Sequence, residues 1–234
     1  MKSYLIHLVR HGLTKANLEG KFVGQKDVPL SVEGMAQLVE MKKIYEYPQA
    51  QAYMSSPLSR CVDTMKILYP KVKPMIIDDF IEYDFGAFEG KTTKQLEKDD
   101  RYADWAAGGP DAAPPFGESN RAFANRVCST FCKIVEGLMK TGTTSAVICT
   151  HGGVIMTLLS AFGLPEAPMF EWMTGNGAGY TLRITPGIWM RGQKAEVEAL
   201  IPYGYGEEGE GTQAELIEQG KQAMRENRPE EEER

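Results

Sequence analysis

With 234 residues, 42% of them hydrophobic and 25% charged, the chain is long enough to bury the core of one α/β domain, and no stretch approaches the ~18 apolar residues of a membrane helix. Its net charge of −6 is unevenly placed: from Gly206 onward ten glutamates face only Lys221, Arg225, Arg228 and Arg234, which accounts for the whole excess. The rest is neutral overall, with neither the net basic domain nor the basic stripe of a nucleic-acid binder, so nucleic-acid partners and membrane insertion are both excluded.

Tyr4-Leu5-Ile6-His7-Leu8-Val9 is too short for a helix and apolar on both parities, the pattern of a strand buried on both faces. Met1-Lys2-Ser3 leads straight into it without the basic, apolar and small-residue succession of a signal peptide, so a cytoplasmic location is expected. After a polar, Gly-bearing stretch, Ser31 is an N-cap for a helix from Val32 to about Tyr45, with Met35, Leu38 and Val39, extended by Lys42, on one stripe. Ala52 to Met54 reads as a short strand, and a helix follows Ser59-Arg60 through about Leu68, stopped by Pro70. Met75 to Asp78 is a third strand, and Phe80 to Gly86 a loop rich in aromatics and acids.

Gly108-Gly109-Pro110 and Pro114-Pro115 mark a long irregular connection between a polar helix near Thr93 to Ala106 and a longer one near Glu118 to Met139. Residues 91–117 therefore read as a lid or specificity insert. Ser145 to Thr150 is the second strongly buried strand, ending in His151-Gly152-Gly153 and a helix from about Val154 to Phe162. Ala178 to Ile184 and Ala195 to Ile201 are strands closing an edge of the sheet. Strands alternating with helices predict a three-layer α/β/α sandwich with a mostly parallel sheet over residues 1–205. The acidic tail, 206–234, reads as a solvated extension, with Ala214, Ile217 and Met224 spaced for a short docked helix.

Cys61, Cys128, Cys132 and Cys149 form no C-x-x-C pair and fall in predicted helices or a core strand, so they read as reduced, buried thiols rather than disulfides or metal ligands. His7, inside the first strand, reads as a packed core residue, and Trp105, Trp172 and Trp189 as packing surfaces.

The chemistry gathers at strand ends. In a parallel sheet the crevice outside the carboxyl ends of the strands is the usual ligand position. Two buried strands each deliver a His and a Gly there, His11-Gly12 and His151-Gly152, while Arg10 and Arg60 add two guanidiniums. Two imidazoles and two planar cationic forks around helix N-termini suit a tetrahedral dianion, so bound phosphate is the economical inference.

Arg10-His11-Gly12 with Thr14 and Asn17, then Gly24, Asp27, Pro29-Leu30-Ser31 and Gly34, Ser56-Pro57-Leu58-Ser59-Arg60, Glu82 with Gly86 and Glu89-Gly90, Gly117-Glu118-Ser119, and His151-Gly152-Gly153 form an ordered series across residues 4 to 200. This series resembles the histidine phosphatase superfamily, the phosphoglycerate mutase-like proteins. The resemblance implies that His11 is the nucleophile forming a phosphohistidine, that Arg10, Arg60 and His151 bind the phosphate oxygens, and that Glu82 is the proton donor. It places Thr14, Asn17 and Gly152 on the phosphate site with lesser weight, and it implies no metal and no cofactor. A neutral imidazole beside arginines is a competent nucleophile, and the double role of Glu82 needs a pKa moved toward neutrality, with Phe80, Tyr83 and Phe85 as desolvating neighbours.

The family's mutases carry an Arg-Arg pair in the insert, where this chain has Lys91, Lys94, Lys98 and Arg101 but no such pair. The expectation is therefore a phosphatase acting on a small phosphomonoester, with Phe88, Trp105 and Phe116 hinting at a partly apolar leaving group. Mutase-type transfer is the alternative within the family, and a silent module binding a phosphorylated partner the alternative outside it. The sequence is silent on oligomeric state.

Overall fold

The computed structural model describes residues 2–205 of the chain; the acidic tail, with Ala214, Ile217 and Met224, lies outside them. In chain order the strands are β1 (Tyr4–Arg10), β2 (Ala52–Ser55), β3 (Met75–Ile76), β4 (Ser145–Thr150), β5 (Gly163–Leu164), β6 (Gly179–Ile184) and β7 (Ala195–Ile201). Among the described residues they form one seven-stranded sheet in the order β3-β2-β4-β1-β6-β7-β5. β3, β2, β4 and β1 are mutually parallel, and β6 runs antiparallel to both β1 and β7. The mostly parallel sheet is as expected. The edge beyond β7 is closed by the two-residue β5, which paired with no pattern in the sequence.

The helices are α1 (Lys15–Leu18), α2 (Val32–Ile44), α3 (Ser59–Leu68), α4 (Thr93–Leu96), α5 (Asp100–Ala106), α6 (Asn120–Thr141), α7 (Gly152–Phe162) and α8 (Pro186–Gly192). Alternation within the central strands divides the core. Ile6, Leu8, Ala146 and Ile148 pack with α6, α7 and α8, whereas Val9, Val147 and Cys149 pack with α2 and α3. Both faces of the sheet are thus apolar and covered, the three-layer arrangement that near-continuous hydrophobic strands require.

α6 shows how locally determined these elements are. Ser119 caps it by accepting the Ala122 N–H, and Phe123, Val127, Phe131, Val135 and Leu138 bury one stripe. Each such side chain contributes about 1.5–3 kcal/mol, and Gly142, at φ 74°, ends the helix in the left-handed conformation.

The structure corrects four readings. α2 turns a different face inward: Gly34, Gln37, Leu38 and Met41 are buried, while Met35 and Val39 stay about 40% exposed. The cause is Gly34, where a Cβ would lie 2.1 Å from the Leu13 carbonyl oxygen, so the helix makes its closest approach on that side. The segment Thr93 to Ala106 is two helices rather than one, because the Asp99 carboxylate accepts the Arg101 N–H and starts α5 afresh. β3 keeps only two exposed residues before a 3-10 turn, Asp78–Phe80, that buries Phe80. Cys128 and Cys132 are half-buried, whereas Cys61 and Cys149 are fully buried; all four are free thiols.

His7 is a core residue, its Nδ1 3.0 Å from the Thr181 hydroxyl, and burial lowers its pKa to about 4. Trp172 and Trp189 are buried in the core. Among the described residues no helix is long and apolar enough to cross a membrane.

Candidate active site

The sheet brings three strand ends to one place. The His11 N–H donates to the Thr150 carbonyl at 3.0 Å, and the Ser56 N–H to the Cys149 carbonyl at 2.9 Å, so the residues following β1, β2 and β4 leave the sheet side by side. α7 then begins at Gly152 with His151 in its N-cap position.

His11 and His151 are both buried, their ring centroids 5.2 Å apart and edge to face. His11 Nδ1 lies 2.7 Å from the Gly12 carbonyl oxygen. A carbonyl only accepts, so Nδ1 carries the proton. Burial, followed by the charges of Arg60 and Arg10, holds the His11 pKa well below its ordinary value, which keeps the ring neutral. The consequence is an unprotonated Nε2 with its lone pair available. His151 is likewise held neutral by burial and by Arg60, and its Nε2 meets the Ser56 hydroxyl at 2.7 Å.

Arg60 is wholly buried on the first turn of α3. Its Nη2 donates to the Gly24 carbonyl at 2.6 Å and its Nη1 to the Lys26 carbonyl at 2.9 Å. Arg10 Nη1 donates to the Thr174 carbonyl at 2.6 Å. The Nε atoms of both arginines are buried with no acceptor among the described residues. A buried donor without a partner costs about 1–3 kcal/mol, more when charged, so two beside one neutral imidazole fit an anionic oxygen ligand.

Glu82 is buried in the same pocket. One carboxylate oxygen accepts the Tyr83 N–H and the other the Gly153 N–H, each at 2.9 Å. Burial raises its pKa; the two N–H donors and the charges of Arg60 and Arg10 pull the other way and are outweighed. The pocket therefore holds two guanidinium charges, two neutral imidazoles and one carboxyl group biased toward its protonated form.

A family model described as histidine phosphatase superfamily (branch 1) matches residues 6–191. The chain belongs to this superfamily. An adenosylcobalamin/alpha-ribazole phosphatase from Salmonella typhimurium is 26% identical over 186 residues, covering 77% of this chain and 91% of that protein. A 2,3-bisphosphoglycerate-dependent phosphoglycerate mutase 2 from Gloeobacter violaceus is 25% identical over 223 residues, covering 91% and 90% of the two chains. In fold, the crystal structure of the alpha-ribazole phosphatase from Shigella flexneri superposes with a TM-score of 0.71 at 24% identity, covering 84% of this chain and 95% of that one.

In this histidine phosphatase superfamily member Arg10, His11, Arg60, Glu82 and His151 come together. Gly152 joins them: a Cβ there would lie 3.3 Å from Arg10 Nε. Thr14 and Asn17 are engaged with each other. The Thr14 hydroxyl accepts the Asn17 N–H at 3.2 Å and donates to Asn17 Oδ1 at 2.9 Å, so the pair caps α1 beside the site.

Three supporting residues escaped the sequence reading. Ser56 meets His151. Thr64, one helical turn after Arg60, accepts the Gly12 N–H at 2.9 Å and donates to the Arg60 carbonyl at 2.6 Å. Asn176 Nδ2 donates to the His11 carbonyl at 2.9 Å. Ser56 opens the segment Ser56-Pro57-Leu58-Ser59-Arg60 and Thr64 lies at helical spacing from Arg60, whereas nothing in the loop around Asn176 marks it.

Among the three aromatics expected to face a leaving group, Phe88 is fully buried and offers it no surface. Trp105 packs edgewise on Phe22 and Phe85, and its Nε1 donates to the Tyr83 hydroxyl at 3.1 Å. Phe116, at φ 64°, is 95% exposed.

Proposed function

We propose that this protein is a phosphomonoesterase that hydrolyses a small phosphorylated metabolite through a phosphohistidine on His11. Nε2 of His11 attacks phosphorus in line as the ester P–O bond breaks, and Glu82, entering protonated, delivers its proton to the departing oxygen. Water then attacks phosphohistidine, Glu82 takes a proton from it, the N–P bond breaks, and inorganic phosphate leaves. Arg10, Arg60 and His151 hold the equatorial oxygens, where stabilisation of developing charge supplies much of the rate. Both cations are side chains, so the reaction is written without a metal or cofactor.

The observation that carries this reading is the state of His11: Nδ1 protonated against the Gly12 carbonyl and the ring neutral, with Nε2 unprotonated and two buried arginines acting on the ring. A buried acid in the same pocket favours turnover over mere phosphate binding, because a binder has no use for a proton donor. The phosphatase names among the relatives agree with hydrolysis. Mutase-type transfer needs further cations for the far end of its substrate, and Arg101 in the insert is already paired with Asp99 at 2.6 Å.

The test is a 4-nitrophenyl phosphate assay with acid-quench detection of phosphoprotein, run with and without EDTA. Wild type is expected to release nitrophenol and form an acid-labile phosphoprotein in both conditions, and His11→Ala to do neither. Equal activity of the two proteins removes the mechanism. If 3-phosphoglycerate with catalytic bisphosphoglycerate is isomerised faster than hydrolysed, the protein is a mutase.

A further inference from the structure

Glu82 lies on a stretch with no regular structure of its own, between the 3-10 turns Asp78–Phe80 and Gly86–Phe88. Buried backbone groups there must find partners outside a ladder or helix, and α6 supplies them. Arg126 spends its whole set of guanidinium N–H donors around this stretch. Nη1 donates to the Asp79 and Ile81 carbonyls at 2.7 and 2.8 Å; Nη2 donates to the Glu82 carbonyl at 2.9 Å and to Glu118 Oε1 at 2.6 Å; Nε donates to Glu118 Oε2 at 3.0 Å. Glu118 also accepts the Asp84 N–H at 2.9 Å, so it grips the far side of the same stretch. Phe123, nearly one turn earlier on α6, sets its ring under the guanidinium, 4.9 Å from Cζ to the ring centroid.

The direction of the Glu82 side chain depends on that backbone, because one carboxylate oxygen is held by the N–H of the next residue, Tyr83. From these contacts we infer that Arg126, braced by Glu118, is the positioning residue of the acid: it fixes the main chain on either side of Glu82 so that the carboxyl group meets the departing oxygen. The inference rests on the proposed role of Glu82. Among the described residues, the contact of Arg126 with the pocket is through the main-chain carbonyl of Glu82, not through a pocket side chain.

Only arginine fits the task. Three carbonyls and a bidentate carboxylate need a planar fork of five donors, whereas lysine brings three donors on a single nitrogen. Arg126→Lys therefore keeps the charge and gives up the geometry.

The test uses leaving groups. kcat/KM reports steps through cleavage of the ester bond, and 4-nitrophenolate leaves without a proton, whereas the oxygen of unsubstituted phenyl phosphate leaves far better with one. Wild type, Glu82→Gln and Arg126→Lys are compared on both esters, with near-UV circular dichroism as the check on folding. Glu82→Gln is expected to lose far more on phenyl phosphate than on the nitrophenyl ester. Arg126→Lys is expected to follow, falling on the order of 10–100-fold on phenyl phosphate and less than about threefold on the other, as displacement of a catalytic group by about 1 Å implies.

Equal losses on the two esters, or no loss on either, overturn the inference. Should Arg126→Lys fail to fold, Glu118→Gln, which keeps the side-chain shape and removes the charge bracing Arg126, is judged by the same ratio. A Glu82→Gln protein indifferent to the leaving group defeats the proposed acid, and this inference falls with it. Selectivity in Glu82→Gln without selectivity at 126 or 118 defeats this inference alone.

Discussion

Glu82 accepts the N–H of Gly153 at 2.9 Å, at a position where a Cβ on residue 153 would lie 2.4 Å from Glu82 Oε1. The absence of a side chain at 153 is what allows the carboxyl group and the first turn of α7 to meet. Gly153→Ala is expected to leave the fold intact, since alanine is favoured over glycine in a helix by about 1 kcal/mol. It displaces the acid, however, and kcat/KM on a poor leaving group is expected to fall by on the order of 10²-fold. Steady-state assays beside a thermal melt check both halves.

The pH dependence follows from the two opposite shifts. Burial raises the Glu82 pKa, so the proposed proton donor keeps its proton above the usual carboxylate range and loses it as pH rises through that raised value. Burial and the arginines lower the His11 pKa, so the proposed nucleophile remains neutral well below pH 6.5. For a phosphate ester with a poor leaving group, and after correction for the substrate's own ionisation, kcat/KM is expected to decline as pH rises through the raised Glu82 pKa, at a higher pH than an ordinary carboxyl group would give. In Glu82→Gln that decline disappears.

Thr64 is a structural hinge pin between two site residues, accepting from the N–H beside His11 and donating to the Arg60 carbonyl. Thr64→Val keeps the shape and strands the Gly12 N–H in a wholly buried place. The expected cost is about 1–3 kcal/mol, read as a lower denaturation midpoint at unchanged m-value.

His7 contributes an acid sensitivity separate from catalysis. Its folded pKa of about 4 lies below the ordinary 6.5, so the unfolded chain takes up the proton first as pH falls. Stability from this group is complete above about pH 6.5 and is lost progressively down to about 4, amounting to about 3 kcal/mol. His7→Val is expected to flatten the stability curve over that window, measured by urea titration at stepped pH.

Much of this was readable from the residues. The apolar runs before Arg10 and His151 marked the two central strands because both sheet faces are covered, which makes such strands unmistakable. Arg60 and Glu82 were readable from their place in the ordered motif series. Face choice on α2 was not, because a glycine's contact with the Leu13 carbonyl decides it, and a hydrophobic pattern has no record of backbone approach. Asn176 was invisible for a similar reason: it serves a main-chain carbonyl, and any loop polar residue looks alike until the chain is folded. The role suggested for Phe88 failed because aromatic residues near a site are as easily its foundation as its lining.

The pairing of β1 with β4 and β6 has a consequence for biosynthesis. Arg10 and His11 emerge from the ribosome early, yet the neighbours of their strand are Ser145–Thr150 and Gly179–Ile184. The first central strand cannot complete its pairing until both of those segments have been synthesised, so Arg10 and His11 stay apart from His151 while the intervening chain is made.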